Sequence, residues 1–254
     1  MLQLIKEQHL KRFQMNEPSL SVFEKVDDLL YSLADYIVQV GSKAIAEKGE
    51  FSFVLSGGSS PKRLYRLLAS SYRNKLDWTK VYFFFGDERY VPANDPENNA
   101  LMAKETLFDP LQIPKSTVFN INTSLSPEES AQHYQEVIES HFQGKPIRFD
   151  LILLGLGDNV HTASLFPYTS ILTEKDPAVK AVFVSELDAY RITFTAPLIN
   201  RANHVVFLVY GENKAEAVKH VFGEVHDFEK YPAQLIHLNH GSVRWFLDEA
   251  ASSF

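Results

Sequence analysis

Short apolar runs that stop abruptly at glycine and polar residues recur along the chain. Phe51-Ser-Phe-Val-Leu55, Val81-Tyr-Phe-Phe-Phe85 and Asp150-Leu-Ile-Leu-Leu-Gly155 are too short for helices, and they read as buried strands. Val182–Ser185, Arg191–Thr195 and His204–Tyr210 read as further strands. Between them the period changes. Ser21-Val-Phe-Glu24 has the spacing of a capping box, and Val26, Leu29, Leu30, Leu33, Ile37, Val40, Ala44 and Ile45 follow at helical spacing. Ser126-Pro-Glu-Glu129 is a second capping box, opening a helix through about His141. Helices are also predicted after Ser56-Gly-Gly-Ser-Ser-Pro61 (with Pro61 at the first helical position), near residues 97–107, over Glu212–Phe222 and over Val243–Ala251.

Strands alternating with helices predict an α/β chain. The expected architecture is a three-layer Rossmann-like fold with a mainly parallel central sheet and helices on both faces. No repeat or linker divides the sequence, so one domain over residues 1–254 is expected.

The 45% hydrophobic content supplies a packed core, yet no apolar run approaches the roughly 20 residues that span a bilayer. The first residues, MLQLIKEQHLKRFQ, resemble neither a signal nor a transit peptide. With no cysteine, disulfides, thiolate metal sites and a cysteine nucleophile are excluded. A cytoplasmic location, no membrane, and a monomer or weak homo-oligomer are the expectations. A net charge of −7 with no Lys/Arg-rich face argues against nucleic acid. An anionic ligand would then need a local cluster of cations and backbone N–H groups.

The loops after the strands carry such groups. Gly57, Gly58 and Ser59 stand between a strand and a helix, where backbone N–H groups and the helix dipole favour an anion. The spacing is neither G-x-G-x-x-G nor a Walker loop, so neither a dinucleotide nor a nucleoside triphosphate is implied. Asp87 and Arg89 close the second strand, and Lys214 lies in the first turn of a helix, where a cation opposes the dipole unless an anion intervenes. His161 is one of nine histidines, but it lies just beyond a buried strand and is followed by two hydroxyl residues. No G-x-S-x-G elbow and no H-x-x-x-H or H-E-x-x-H pairing occurs, so no metal and no cofactor are expected. A base that activates water is the most economical role for His161.

Five segments run in order from about residue 50 to the C-terminus: LSGGSSPKRLY, FFFGDERYVP with DPENNALMAKETLF, DLILLGLGDNVHTASLFP, RITFTAPLINRANHVVFLVYGENKAEAV and YPAQLIHLNHGSVRWFLDEAA. Together they resemble the 6-phosphogluconolactonases, the lactone-opening enzymes of the pentose phosphate pathway. The resemblance implies a phosphorylated sugar lactone as substrate. It makes His161 the general base, Arg89 and Lys214 phosphate grips, and Gly57, Gly58 and Ser59 the lining of a phosphate loop. Asp87 would lie in the pocket with Arg191 beside it. Where the family usually reads Asp-Gly-His, this chain has Asn159-Val160-His161. Asn159 would orient the histidine without a charge, and Val160 disfavours the positive φ that glycine allows.

Two alternatives accompany this reading. The related glucosamine-6-phosphate deaminases have tyrosine at the place of Arg89 and glutamate at the place of Phe166, which counts against deaminase chemistry. A catalytically silent sugar-phosphate binder is favoured only by the Asn159-Val160 departure.

Overall fold

The structure, a computed structural model, describes residues 18–253, so the reading of the first fourteen residues lies outside the described part. Among the described residues nine strands form two sheets: β1 Ser19–Phe23, β2 Phe51–Leu55, β3 Val81–Phe85, β4 Asp87–Arg89, β5 Leu151–Leu154, β6 Val179–Val184, β7 Ala189–Phe194, β8 His204–Val209 and β9 Ser242–Asp248. Six of them, in the order β1-β9-β8-β5-β2-β3, make a sheet in which every pairing is parallel. The expected α/β fold with a mainly parallel sheet is therefore present. β4, β7 and β6 form a separate antiparallel sheet that the sequence pattern did not separate from the first.

The strand order places the site. From β2 the chain moves outward to β3, whereas β5, β8 and β9 step successively the other way. Parallel crossovers share one hand, so this reversal sends the connections after β2 and β5 to opposite faces. A crevice opens between them at the strands' carboxyl ends, where ligands of open α/β sheets bind. The glycine-rich loop follows β2, and the His161 loop follows β5.

The long helix α1 (Val26–Lys48) buries Leu29, Leu30, Leu33, Ile37, Val40 and Ala44, the stripe its spacing predicts. Its start differs from expectation. Ser21 is not an N-cap but the middle of β1, paired with Phe246, and the helix opens at Lys25 with no side-chain cap. Pairing with β9 outweighs the local capping signal, and Asp27 and Asp28 provide the negative charge its N-terminus favours. The other capping box does form: Ser126 and Glu129 bond reciprocally at the head of α4 (Pro127–Phe142).

The C-terminal segment is the second correction. Val243–Ala251 is not a helix; Ser242–Asp248 is a strand buried between β8 and β1. Val243, Trp245, Phe246 and Leu247 are β-branched, aromatic or aliphatic and buried, and Trp245 stacks on Phe207 at 3.7 Å. Two helix starts also shift. α2 spans Ser59–Ser71 with Gly58 as N-cap, so Pro61 is its third residue. The helix expected near 97–107 is a short α3 (Asn99–Ala103) running into a π-helical turn, Lys104–Phe108.

At the sheet's other end, Asp150 is buried just before β5. It accepts from the Ser52 backbone N–H and hydroxyl at 2.8 and 2.9 Å, and Lys48 lies 2.8 Å from it. Asp150→Ala would leave the Ser52 N–H unpaired and should cost about 2–3 kcal/mol. Urea unfolding at pH 7 checks this, with kcat of the folded fraction expected to be unchanged because the site is at the opposite end of the strands.

Candidate functional site

The loops after β2, β5 and β8 meet β4 and β7 over the crevice around a cavity of about 530 Å³, whose lining includes Gly57, Asp87, Arg89, His161, Arg191 and Lys214. Gly58 and Asn159 also line it. Ser59 does not: it is the exposed first residue of α2, and Ser56 lines the cavity instead.

The loop after β2 needs its glycines. Gly58 has φ +102°, and a Cβ on Gly57 would stand 1.8 Å from the Asn99 Oδ1. The Asn99 amide donates to the Asp87 carbonyl at 3.0 Å, while its buried Oδ1 has no hydrogen-bond partner among the described residues.

Gly86 links the two sheets, donating to Leu55 at 3.0 Å and accepting from Phe194 at 2.8 Å. It thereby turns β3 into β4 and aims Asp87 and Arg89 at the crevice. β4 pairs with β7 so that Arg89 lies directly opposite Arg191. Like charges opposite each other on a ladder are destabilising, so this pairing makes sense around an anion. Burial, with Arg89 adding repulsion, lowers the affinity of Arg191 for its proton. The neighbouring Glu88 is buried and accepts from the backbone N–H groups of Arg89, Asn99 and Ala100 at 2.7–2.9 Å. It clamps Arg89 to the start of α3, and burial pushes its carboxyl up to about 7. Asp87 is also buried and raised by desolvation, with the Ser164 hydroxyl donating to it at 2.7 Å.

The loop after β5 folds back sharply. Gly157 donates to the carbonyl of His161 at 2.8 Å, and Val160 donates to the carbonyl of Gly157 at 2.9 Å. The closure forces Val160 to φ +64°, an outlier for a β-branched residue. It also lays the imidazole where a Gly157 Cβ would be, 2.0 Å from Nδ1.

Asn159 then defines the ring's hydrogen. Its Oδ1 accepts from the His161 backbone N–H at 3.3 Å and contacts Nδ1 at 2.5 Å, while its Nδ2 donates to Glu186 at 3.4 Å. A backbone N–H only donates, so Oδ1 is the acceptor and Nδ1 carries the hydrogen. This assignment leaves a lone pair on Nε2. The other ring face stacks on Phe166, centroids 4.0 Å apart. Burial first, then Lys214 and Arg191, lowers the His161 pKa to about 4 despite the opposing Asp158.

Gly211, with φ +101°, starts the 3₁₀ turn Glu212–Lys214 that runs into α5 (Ala215–Phe222), so Lys214 stands at the join rather than inside a first α-helical turn. Its Nζ meets Asp158 at 2.5 Å. The Asp158 side chain is 68% exposed, so this pair is weak and yields readily to a stronger anion. Among the described residues, no group of three or more His, Asp or Glu side chains is placed to hold a metal ion, and no helix is long and apolar enough to cross a membrane.

Over residues 24–245 the sequence matches the family described as glucosamine-6-phosphate isomerases/6-phosphogluconolactonase. The chain belongs to this family. The 6-phosphogluconolactonase of Synechocystis sp. is 44% identical over 215 residues, covering 83% of this chain and 87% of that protein. The probable 6-phosphogluconolactonase 1 of Arabidopsis thaliana is 35% identical, with 92% of each covered. The solved 6-phosphogluconolactonase of Trypanosoma cruzi superposes with a TM-score of 0.83 at 28% identity, covering 93% of this chain and 96% of that one.

Within this two-activity family, position 166 carries information. A glutamate there would place a carboxylate beside the histidine, whereas Phe166 offers an apolar face to the ring. Sequence reasoning did not find Asn99, Asp158 or Glu186, whose roles depend on contacts between separate loops. Ser164 was signalled only as one of two hydroxyl residues after His161.

Two measurements probe this geometry. In an NMR titration of the free protein, His161 should stay neutral until the pH nears 4; a midpoint near 6.5 would contradict the burial seen here. The sign follows from linkage: with the folded pKa below the unfolded one, the stability contribution is full above about 6.5 and declines as pH falls toward 4. Gly157→Ala must displace the imidazole, and a shift of this order should lower kcat about 10²-fold with little change in KM; steady-state kinetics decide.

Proposed function

We propose that the chain hydrolyses 6-phospho-D-glucono-1,5-lactone to 6-phospho-D-gluconate in the pentose phosphate pathway. The observation that carries this reading is the cross-strand pair Arg89 and Arg191 in one cavity with a histidine whose Nε2 is free to accept a proton. The arginines and Lys214 hold the phosphate, with the Gly57–Gly58 backbone closing around it. Lys214 leaves Asp158 for the more highly charged group. This grip positions the lactone by a remote, unreacting part of the substrate.

Nε2 of neutral His161 takes a proton from water as the water oxygen attacks the lactone carbonyl. The imidazolium returns that proton to the ring oxygen as the carbon–oxygen bond breaks, which restores the starting tautomer. Transfers of this kind contribute about 10²–10⁴-fold. A pKa near 4 makes His161 a weak base, but a lactone is an activated acyl group that tolerates one. Bound phosphate neutralises the cations facing the ring and so raises its basicity. No covalent intermediate is required.

Kinetics with matched substrates test the assignment. His161→Ala should remove most of kcat, after spontaneous hydrolysis is subtracted, while a substrate analogue still binds. Arg89→Ala and Lys214→Ala should each weaken use of the phosphorylated lactone by about 1.5–3 kcal/mol, with a far smaller effect on a lactone lacking phosphate. Equal losses on both substrates would show that these side chains do not hold phosphate.

A further inference from the structure

The contact between Asn159 and Glu186 joins segments 27 residues apart and has no part in the reaction as described above. Glu186 stands in the tight turn Ser185–Leu187 between β6 and β7, and it lines the same cavity as His161. Its Oε2 accepts from the Asn159 Nδ2 at 3.4 Å, and the Asn159 Oδ1 faces the His161 Nδ1 at 2.5 Å. Imidazole, amide and carboxylate therefore form a chain, with a negative charge two links from the ring.

We propose that Glu186 is a positioning residue that acts on His161 through Asn159, keeping the amide oxygen toward Nδ1, and that its carboxylate is the reason an amide stands at position 159. The inference rests on His161 being the base of the lactonase reaction. Its physical content is simple. A flipped amide would turn Nδ2 toward the ring and Oδ1 toward Glu186, setting acceptor against acceptor at one end and donor against donor at the other. Glu186 makes that arrangement unfavourable and favours the tautomer with Nε2 unprotonated. A carboxylate at 159, as in the usual Asp-Gly-His, would instead face the Glu186 carboxylate at the separation the amide now occupies. Two carboxylates so close disfavour each other's charge, and one would take up a proton. The amide removes the conflict and turns the second acid into a hydrogen-bond acceptor.

Exposure of Glu186 makes its variants safe for folding. Glu186→Ala should lower kcat about tenfold at unchanged KM, since one charged hydrogen bond in the chain is lost. Glu186→Gln, which still accepts from Nδ2, should recover most of that loss. Nitrogen NMR of the ring should show Nδ1 protonated in the parent and in Glu186→Gln, with the other tautomer appearing in Glu186→Ala. The decisive comparison uses Asn159→Asp. In that background Glu186→Gln should raise kcat, whereas beside Asn159 it should lower kcat or leave it nearly constant. A Glu186→Gln effect of the same sign and size in both backgrounds would overturn the proposal, as would Glu186→Ala with parental kcat and tautomer. Should His161→Ala retain turnover, the lactonase assignment of His161 falls instead, and the tautomer measurements still decide whether Glu186 sets the amide.

Discussion

The site depends on the imidazole of His161 being laid against the Cα of Gly157. A loop leaving a buried strand would ordinarily carry its side chains outward. Here the bond from Gly157 N–H to the His161 carbonyl closes the loop on itself, and the ring occupies space that any Cβ would fill. Strain accompanies that closure: Val160, Ala163 and Tyr168 all have positive φ within nine residues. Such conformations cost about 1–3 kcal/mol each and persist only where surroundings over-determine them. For Val160 those surroundings are visible. Its side chain is 2% exposed, and its carbonyl accepts from Ala233 at 3.0 Å. A glycine would relieve the φ but forfeit the buried side chain, so the two effects oppose each other.

Electrostatics around the ring follow a similar division between local cost and use. The chain is acidic overall, yet the crevice concentrates Arg89, Arg191 and Lys214. Of the buried acids beside them, Glu88 holds the Arg89 backbone in place without pairing with its guanidinium. Glu88 spends its oxygens on three backbone N–H groups, and Asp87 accepts from Ser164, so neither forms an ion pair with an arginine. Lys214 alone has a carboxylate partner, and that partner is exposed. The result is a cavity in which burial first, and the cations Lys214 and Arg191 second, disfavour a charge on the histidine.

Much of this was legible because strand ends announce themselves. Phe51–Leu55 and Val81–Phe85 were read to the residue, and His161 stood out because glycines and hydroxyls bracket it at the end of a third strand. The two misread strands share a cause. Ser19–Phe23 and Ser242–Asp248 pair with each other, and each carries a local signal for helix that the parallel ladder outweighs. The second sheet was hidden because its strands alternate weakly and its register is fixed by Gly86 rather than by pattern. Within the site, residues on a single loop were found, whereas Asn99, Asp158 and Glu186 gain meaning only across loops.

The same distinction bears on how one scaffold separates two chemistries in its family. With a sugar phosphate held at the strand ends, as proposed for this chain, the phosphate grip would be common to both and would not discriminate between them. The difference must lie next to the histidine. Opening an amino sugar and removing its nitrogen calls for an additional carboxylate near the ring to manage protons on a poor leaving group. Opening a lactone needs one proton taken from water and the same proton returned. Phe166 fits the second requirement, since an aromatic face 4.0 Å from the imidazole fixes its plane, excludes water from that side and adds no acid. One carboxylate in this neighbourhood, Glu186, contacts the ring's partner instead of the ring. Acid placed there can bias where the imidazole's hydrogen sits without competing for the proton that His161 is proposed to transfer.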